Sequence, residues 1–327
     1  MTRFIIRRSC WAVLLLAVLS AAVFVLQMMS PGDGVKAYLG ANATPDAVAE
    51  ARHRLGLDRP LTAQYLSYVW RALHGDFGIS MRSRDPVWAD LATFAPATGE
   101  LVLCAFGIAL CLAALFALSG AIRIPGTSWY RGALLIAGCA PPFLIAMGAL
   151  IVFYRNLNWL PGGGRGPTTG PTNLVLLDSI LGADPAQWWT GLQHLILPAA
   201  TLAIAPALAI GRILRSSLES TMKADYIRSA QMKGLGAGAM VVRHVLRNAI
   251  NPALSMAGLQ LGFMFASVVV VEQIFNWPGI GNYLAASIPV DDFPAIAGVT
   301  LLLGAMYIVA NAAVDILQAM ADPRIAL

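Results

Sequence analysis

Residues 101–122 read LVLCAFGIALCLAALFALSGAI, twenty-two positions without Asp, Glu, Lys or Arg. As a helix rising 1.5 Å per residue, that run spans about 33 Å, enough for a hydrocarbon core of about 30 Å. Working outward from it, five more charge-free runs of comparable length appear: Ser9–Met29, Gly132–Tyr154, Leu195–Gly211, Ala253–Val271 and Phe293–Val314. Six apolar spans predict an all-α membrane protein. Only 12% of the 327 residues are charged and 58% are hydrophobic, against roughly 25% charged in soluble domains. The net charge of +5 does not point to nucleic acid, because the basic residues flank apolar runs instead of forming one patch.

These runs divide the chain into an N-terminus with its first span (1–29), an outer segment (30–100) and a five-span core (101–327) carrying an inner loop at 212–251. Pro141, Pro142, Pro198 and Pro206 fall inside spans and predict kinks in the third and fourth helices, tolerated where neighbouring helices satisfy freed carbonyls. The apolar core of the first run is too long for a signal peptide. With the N-terminus inside, thirteen Lys and Arg fall in the inner segments and only Arg155 and Arg165 in the two short outer loops. The positive-inside rule then places both termini in the cytoplasm.

Two loops carry most of the information. In the outer segment, Thr44 suits a helix cap, with Pro45 at the first position and Gly56 as the stop. Leu61, Tyr65, Tyr68, Val69 and Ala72 then recur at helical spacing. The prediction is a small folded element, serving as a packing lid, a docking surface or both. In the inner loop, Glu219 and Lys223 stand four apart in the favourable order. A helix is expected to run to about Met232 before Gly234, Gly236 and Gly238 break it. A second short helix is expected with Val242, Leu246 and Ile250 on one side, Arg243 and Arg247 on the other, and Pro252 at its end. A helix-glycine-helix unit of this kind is suited to pushing on a partner.

Several chemistries find no residues. No G-x-x-x-x-G-K-[ST] loop exists, so ATP phosphates have no cradle of that type. None of His53, His74, His194 and His244 precedes Glu, which removes the H-E-x-x-H zinc motif, and no G-x-S-x-G elbow occurs. No metal site is expected. Cys10, Cys104, Cys111 and Cys139 lie in apolar runs without ligand or disulfide spacing. Glu100, Glu272 and Asp315 stand toward span ends, whereas proton-coupled transporters place such groups mid-membrane. What remains is a chain that spans the bilayer, carries no evident energy source and offers an inner lever. An external motor completes it. A membrane-bound enzyme or scaffold is the rival from another class, and the missing catalytic constellations disfavour it.

The ordered motifs then resemble a family. Pro31-Gly32-Asp33, Leu55-Gly56-Leu57-Asp58-Arg59-Pro60 and His74-Gly75-Asp76-Phe77-Gly78-Ile79-Ser80 are followed by Asp225-Tyr226-Ile227-Arg228-Ser229-Ala230 with Lys233-Gly234-Leu235. Arg243-His244-Val245-Leu246-Arg247-Asn248-Ala249, Asn276-Trp277-Pro278-Gly279-Ile280-Gly281, Asp292-Phe293-Pro294 and Asp322-Pro323-Arg324 complete the series. The chain resembles, almost end to end, permease subunits of the dipeptide and oligopeptide ABC importers, a family that also serves nickel, glutathione and opines. The dipeptide branch is the nearest.

That resemblance implies a type I importer fold in a bacterial inner membrane, with no catalysis and no cofactor on this chain. It implies a heterodimer with a second permease and two ATPase subunits that hold ATP and Mg. An extracytoplasmic binding protein supplies the substrate. It places the contact with the ATPase at Asp225, Tyr226, Arg228, Ala230, Lys233, Gly234, Leu235 and Arg243. Ala230 and Gly234 match the family's alanine and glycine four apart, whereas Arg228 and Ser229 stand where its Glu and first Ala are found. Candidates for contact with the binding protein are Asp76, Gly78, Trp277, Pro278 and Gly279; Trp277 and Pro278 equally suit an interface anchor and a turn. Gln260, Met264 and Ser267 share one stripe of the fifth span and are candidates for the translocation path, or for packing against the partner permease.

Overall fold

The structure is a computed structural model that describes residues 2–29, 44–54, 58–121, 125–168, 170–224, 227, 240 and 245–321. Eleven α-helices follow one another among those residues. The first, α1 (Thr2–Met29), leads to two shorter helices, α2 (Pro45–Arg54) and α3 (Leu61–Leu73). The long α4 (Val87–Ala121) is followed by α5 (Ser128–Gly138) and by α6 (Pro142–Ala149), which continues as a π-helical segment, Leu150–Asn156. A short α7 (Val175–Leu181) precedes α8 (Pro185–Thr221). After the inner loop come α9 (Leu246–Ile274), α10 (Ile280–Ser287) with a 3-10 turn at Ile288–Val290, and α11 (Phe293–Ala321). No strand occurs among the described residues.

Five helices are long and apolar enough to cross a membrane, and a sixth span is completed if α5 and α6 count as one. The kink expected in the third span is a break: α5 and α6 meet at 118°. Pro141 and Pro142 explain it, since neither has an N–H to return to the preceding turn.

The other spans are longer than their charge-free runs. The second span, α4, begins at Val87 and carries Asp90, Pro96 and Glu100 inside it, because those carboxylates find partners there. The fourth span and the first inner helix are one element, α8, of 37 residues. It stops at Thr221, not near Met232, and Glu219 pairs with Arg215 at 2.7 Å, not with Lys223. Pro252 ends no helix: it lies inside α9. The buried stripe there is Val245, Ala249 and Ala253, with Leu246 and Ile250 only half-buried. Asp184 caps α8, accepting from the amides of Ala186 and Gln187 at 3.0 Å each, with Pro185 at its first position. Thr44 caps α2 through the Ala47 amide at 3.4 Å, and Gly56 lies outside the described residues.

Packing is tightest between α4 and α8. Small residues allow the approach: Ala113 and Ala117 on α4 are buried against Ile210, Leu214 and Leu218 of α8, and a Cβ on Gly211 would come within 3.3 Å of Ala113 backbone atoms. This follows the rule for helices in lipid, where close backbone contact replaces a hydrophobic driving force. Ile227, Met240 and Val245 are buried in the same cluster, so apolar side chains from the segment between α8 and α9 seat on the C-terminal ends of α4 and α8. Arg8 of α1 forms an ion pair with Asp315 of α11, joining the first and last spans at that same end. Tyr65 of α3 reaches back to Ser20 Oγ at 2.9 Å and the Ala17 carbonyl at 3.2 Å.

Candidate functional site

Two regions of the bundle combine polar groups with burial. The first is a stitched cap where the outer segment, the loop after α6 and the loop after α9 meet. Glu272, near the end of α9, is completely buried. Its carboxylate accepts from the Thr98 hydroxyl at 2.6 Å and from the Asn282 amide at 2.9 Å, while Thr98 Oγ1 in turn accepts from the Ile280 amide at 2.9 Å. One acid thus ties α4, α9 and the start of α10 together. The geometry requires glycine beside it: a Cβ on Gly279 would lie 2.1 Å from Glu272 Oε1.

Beside it, Arg165 and Glu100 form a buried ion pair at 2.7 Å, each side chain 6% exposed. Glu100 also accepts from the amides of Val175 at 3.1 Å and Leu176 at 2.7 Å. Arg165 donates to the Asn173 carbonyl and lies over the Trp277 ring, 5.8 Å from its centroid. The loop is drawn in by its glycines: Gly164 donates to the Phe275 carbonyl at 2.9 Å, and a Cβ on Gly163 would lie 2.6 Å from that oxygen.

The rim is closed by the turn at residues 80–86. Ser80 donates to Asp292 at 2.5 Å, and Ser83 and Tyr283 both donate to Asp90, at 2.6 and 2.8 Å. Burial, followed by the neighbouring Asp90, pushes the Tyr283 phenol above its ordinary range, which keeps it a neutral donor. Arg82 sits over the same ring at 5.1 Å.

This geometry changes the reading of Trp277 and Gly279. Both are buried, Trp277 at 1% exposure, and the indole N–H donates to the Ala97 carbonyl at 3.0 Å. Neither is available to a protein docking from outside, and Trp277 is no membrane-interface anchor. Pro278 and Asp76 are exposed and Gly78 is half-buried; Gly78 sits at φ 92° and accepts on its carbonyl from the Val87 amide at 2.9 Å. Trp277→Phe keeps most of the ring but loses the indole bond to the Ala97 carbonyl, which retains its own helical donor in α4. It is expected to cost about 0.5–1.5 kcal/mol, read as a lowered midpoint of thermal unfolding in detergent.

The second region is a small cleft of ≈ 50 Å³ halfway along the bundle. Gln260, Met264 and Ser267 of α9 line it together, facing Pro142 of α6 and Leu202, Ala205 and Pro206 of α8. The stripe read from the sequence is therefore one continuous wall. Asp225, Tyr226, Arg228, Ala230, Lys233, Gly234, Leu235 and Arg243, the residues expected to meet the ATPase, all lie outside the described residues. Among the described residues no group of His, Cys, Asp and Glu is arranged to hold a metal.

Residues 101–327 match the family model described as binding-protein-dependent transport system inner membrane component, and residues 1–102 match the model of its N-terminal part. The chain belongs to this family of transport permeases. It is 36% identical to a probable D,D-dipeptide transport system permease protein of Escherichia coli K12, over 98% of this chain and 97% of the relative. It is 37% identical to a di/tripeptide transport system permease protein of Pseudomonas aeruginosa, over 92% of each. A dipeptide transport system permease protein of Alkalihalophilus pseudofirmus is 32% identical over 99% of each. The permease is a multi-pass membrane protein, and its family works together with other transport components.

The two acids at the heart of the cap were not singled out as site residues by sequence reasoning. The available signals were Glu100 and Glu272 flanking otherwise charge-free runs, and the glycines at 162–164, 279 and 281.

Proposed function

We propose that this permease forms half of the membrane channel of an ABC importer for di- and oligopeptides. The observation that carries this reading is near-full-length similarity to three peptide permeases, combined with a cleft in the bundle into whose mainly apolar wall Gln260 and Ser267 are set. A second permease completes the channel, two ATPase subunits with ATP and Mg drive it, and an extracytoplasmic binding protein delivers the peptide. The cap is the outer end, where Asp76, the edge at Gly78 and Pro278 meet the binding protein. The opposite end, where Arg8 meets Asp315, faces the cytoplasm, in keeping with the excess of Lys and Arg in the inner segments. There the segment from Asp225 to Arg243 docks on the ATPase. Small residues at Ala230 and Gly234 let the motor approach the backbone closely.

The test is uptake of labelled dipeptides by cells lacking this permease and by cells complemented with it. Loss and restoration are expected; unchanged uptake in the deletion strain overturns the peptide reading. Gly234→Arg is expected to leave the chain in the membrane but to lower uptake per ATP hydrolysed by roughly tenfold. Normal uptake in that variant would remove the lever assignment. The permease purified alone is expected to hydrolyse no ATP.

A further inference from the structure

The cleft pairs hydrogen-bonding groups in a way that specifies a ligand chemistry. Pro206 lies inside α8 and has no N–H, so the carbonyl of Leu202, four residues earlier, lacks its helical donor. Both residues line the cleft. Pro142, another wall residue, likewise returns no N–H to Gly138 across the break between α5 and α6. From the opposite wall, Gln260 offers an amide whose hydrogen bond is a weak one, 3.7 Å to Met256 Sδ. Ser267 offers a hydroxyl that makes no hydrogen bond among the described residues. The remaining wall is apolar: Ala205, Phe263 and Met264. Interrupted helices at membrane depth occur where backbone lines a cavity, and their freed groups hold transported ligands.

A backbone carbonyl without its helical donor, on a residue that lines the same cleft as a side-chain amide able to donate and accept, is the complement of one peptide bond. Nothing charged lines the cleft, so it has no group to select acidic or basic side chains. We propose that this cleft is a passing station for the backbone of the translocated peptide. The Leu202 carbonyl takes a peptide N–H, and Gln260 and Ser267 serve the peptide carbonyl. Phe263 and Met264 offer adaptable apolar contact to whatever side chain accompanies it. The inference rests on the peptide reading above and adds that the membrane step recognises amide groups irrespective of side chain.

The test uses the intact assembly with its binding protein in proteoliposomes, and three labelled dipeptides: Ala-Ala, Leu-Gly and Lys-Ala. The variant Gln260→Met/Ser267→Ala keeps bulk and removes both polar groups. Uptake per ATP hydrolysed is expected to fall about tenfold, by a similar factor for all three peptides. Pro206→Ala supplies the missing N–H to the Leu202 carbonyl without removing any polar side chain. A merely structural proline would leave transport unchanged or improve it; a fall of the same order is expected here. An unchanged ratio in either variant overturns the proposal, as does a loss confined to one dipeptide. Release of the second permease from the Gln260→Met/Ser267→Ala complex also overturns it, because the cleft is then a subunit contact. If the wild-type assembly moves none of the three peptides, the peptide reading fails first and takes this inference with it; if it moves them and the variants match it, the cleft assignment fails alone.

Discussion

Arg165→Leu is expected to lower the thermal midpoint of the detergent-purified permease by roughly 5 °C. The side chain is 6% exposed and 2.7 Å from Glu100, itself 6% exposed. Removing the cation leaves a buried carboxylate, and breaking such a pair costs about 3–5 kcal/mol. The amides of Val175 and Leu176 still donate to Glu100, which holds the loss to the lower end of that range. The substitution also removes the cation from the face of Trp277. Adding Glu100→Gln is expected to recover part of the midpoint, because a neutral amide needs no counter-charge. If the single variant melts with the wild type, or the second substitution lowers the midpoint further by an independent amount, the pair is not the fastening described.

Gly279→Ala is expected to be comparably damaging, for a steric reason. The backbone there is ordinary, at φ −111°, so conformation is not the issue. The new methyl would stand 2.1 Å from Glu272 Oε1 and 2.4 Å from its Cδ. The carboxylate cannot swing aside without abandoning Thr98 and Asn282. Overpacking of about 1–3 kcal/mol then adds to the cost of stranded donors, about 1–3 kcal/mol each. Glu272→Asp in the same chain withdraws the carboxylate by one methylene and is expected to restore part of the midpoint. Wild-type stability for Gly279→Ala would show that the loop yields freely.

The membrane architecture was legible because six charge-free runs can be counted directly, and because the family motifs occur in order. The limits of the helices were less legible. A charge was read as the end of a span, yet Asp90 and Glu100 lie inside α4 because distant residues satisfy them. Arg165 comes from a loop 65 positions away, and no local pattern links it to Glu100. Prolines were legible only in part. Pro141 and Pro142 produce a full break, whereas Pro252 interrupts nothing. The difference depends on whether tertiary packing holds the flanking turns in line. Trp277 looked like a surface anchor because tryptophans favour interfaces, but its N–H has a buried acceptor in the Ala97 carbonyl.

The 37 residues of α8 amount to about 55 Å at 1.5 Å per residue, nearly twice the thickness of a hydrocarbon core. Its outer end is fixed by Asp184, and its inner end carries the pocket that receives Ile227 and Met240. A helix of that length exceeds the hydrocarbon core it can cross, so a force applied to the segment after Thr221 acts through a lever longer than the span itself. The prolines at 198 and 206 each remove one helical hydrogen bond, and the second borders the cleft. A small swing at that end would therefore be felt as bending beside the cleft, ahead of any disturbance to the end fastened by Asp184.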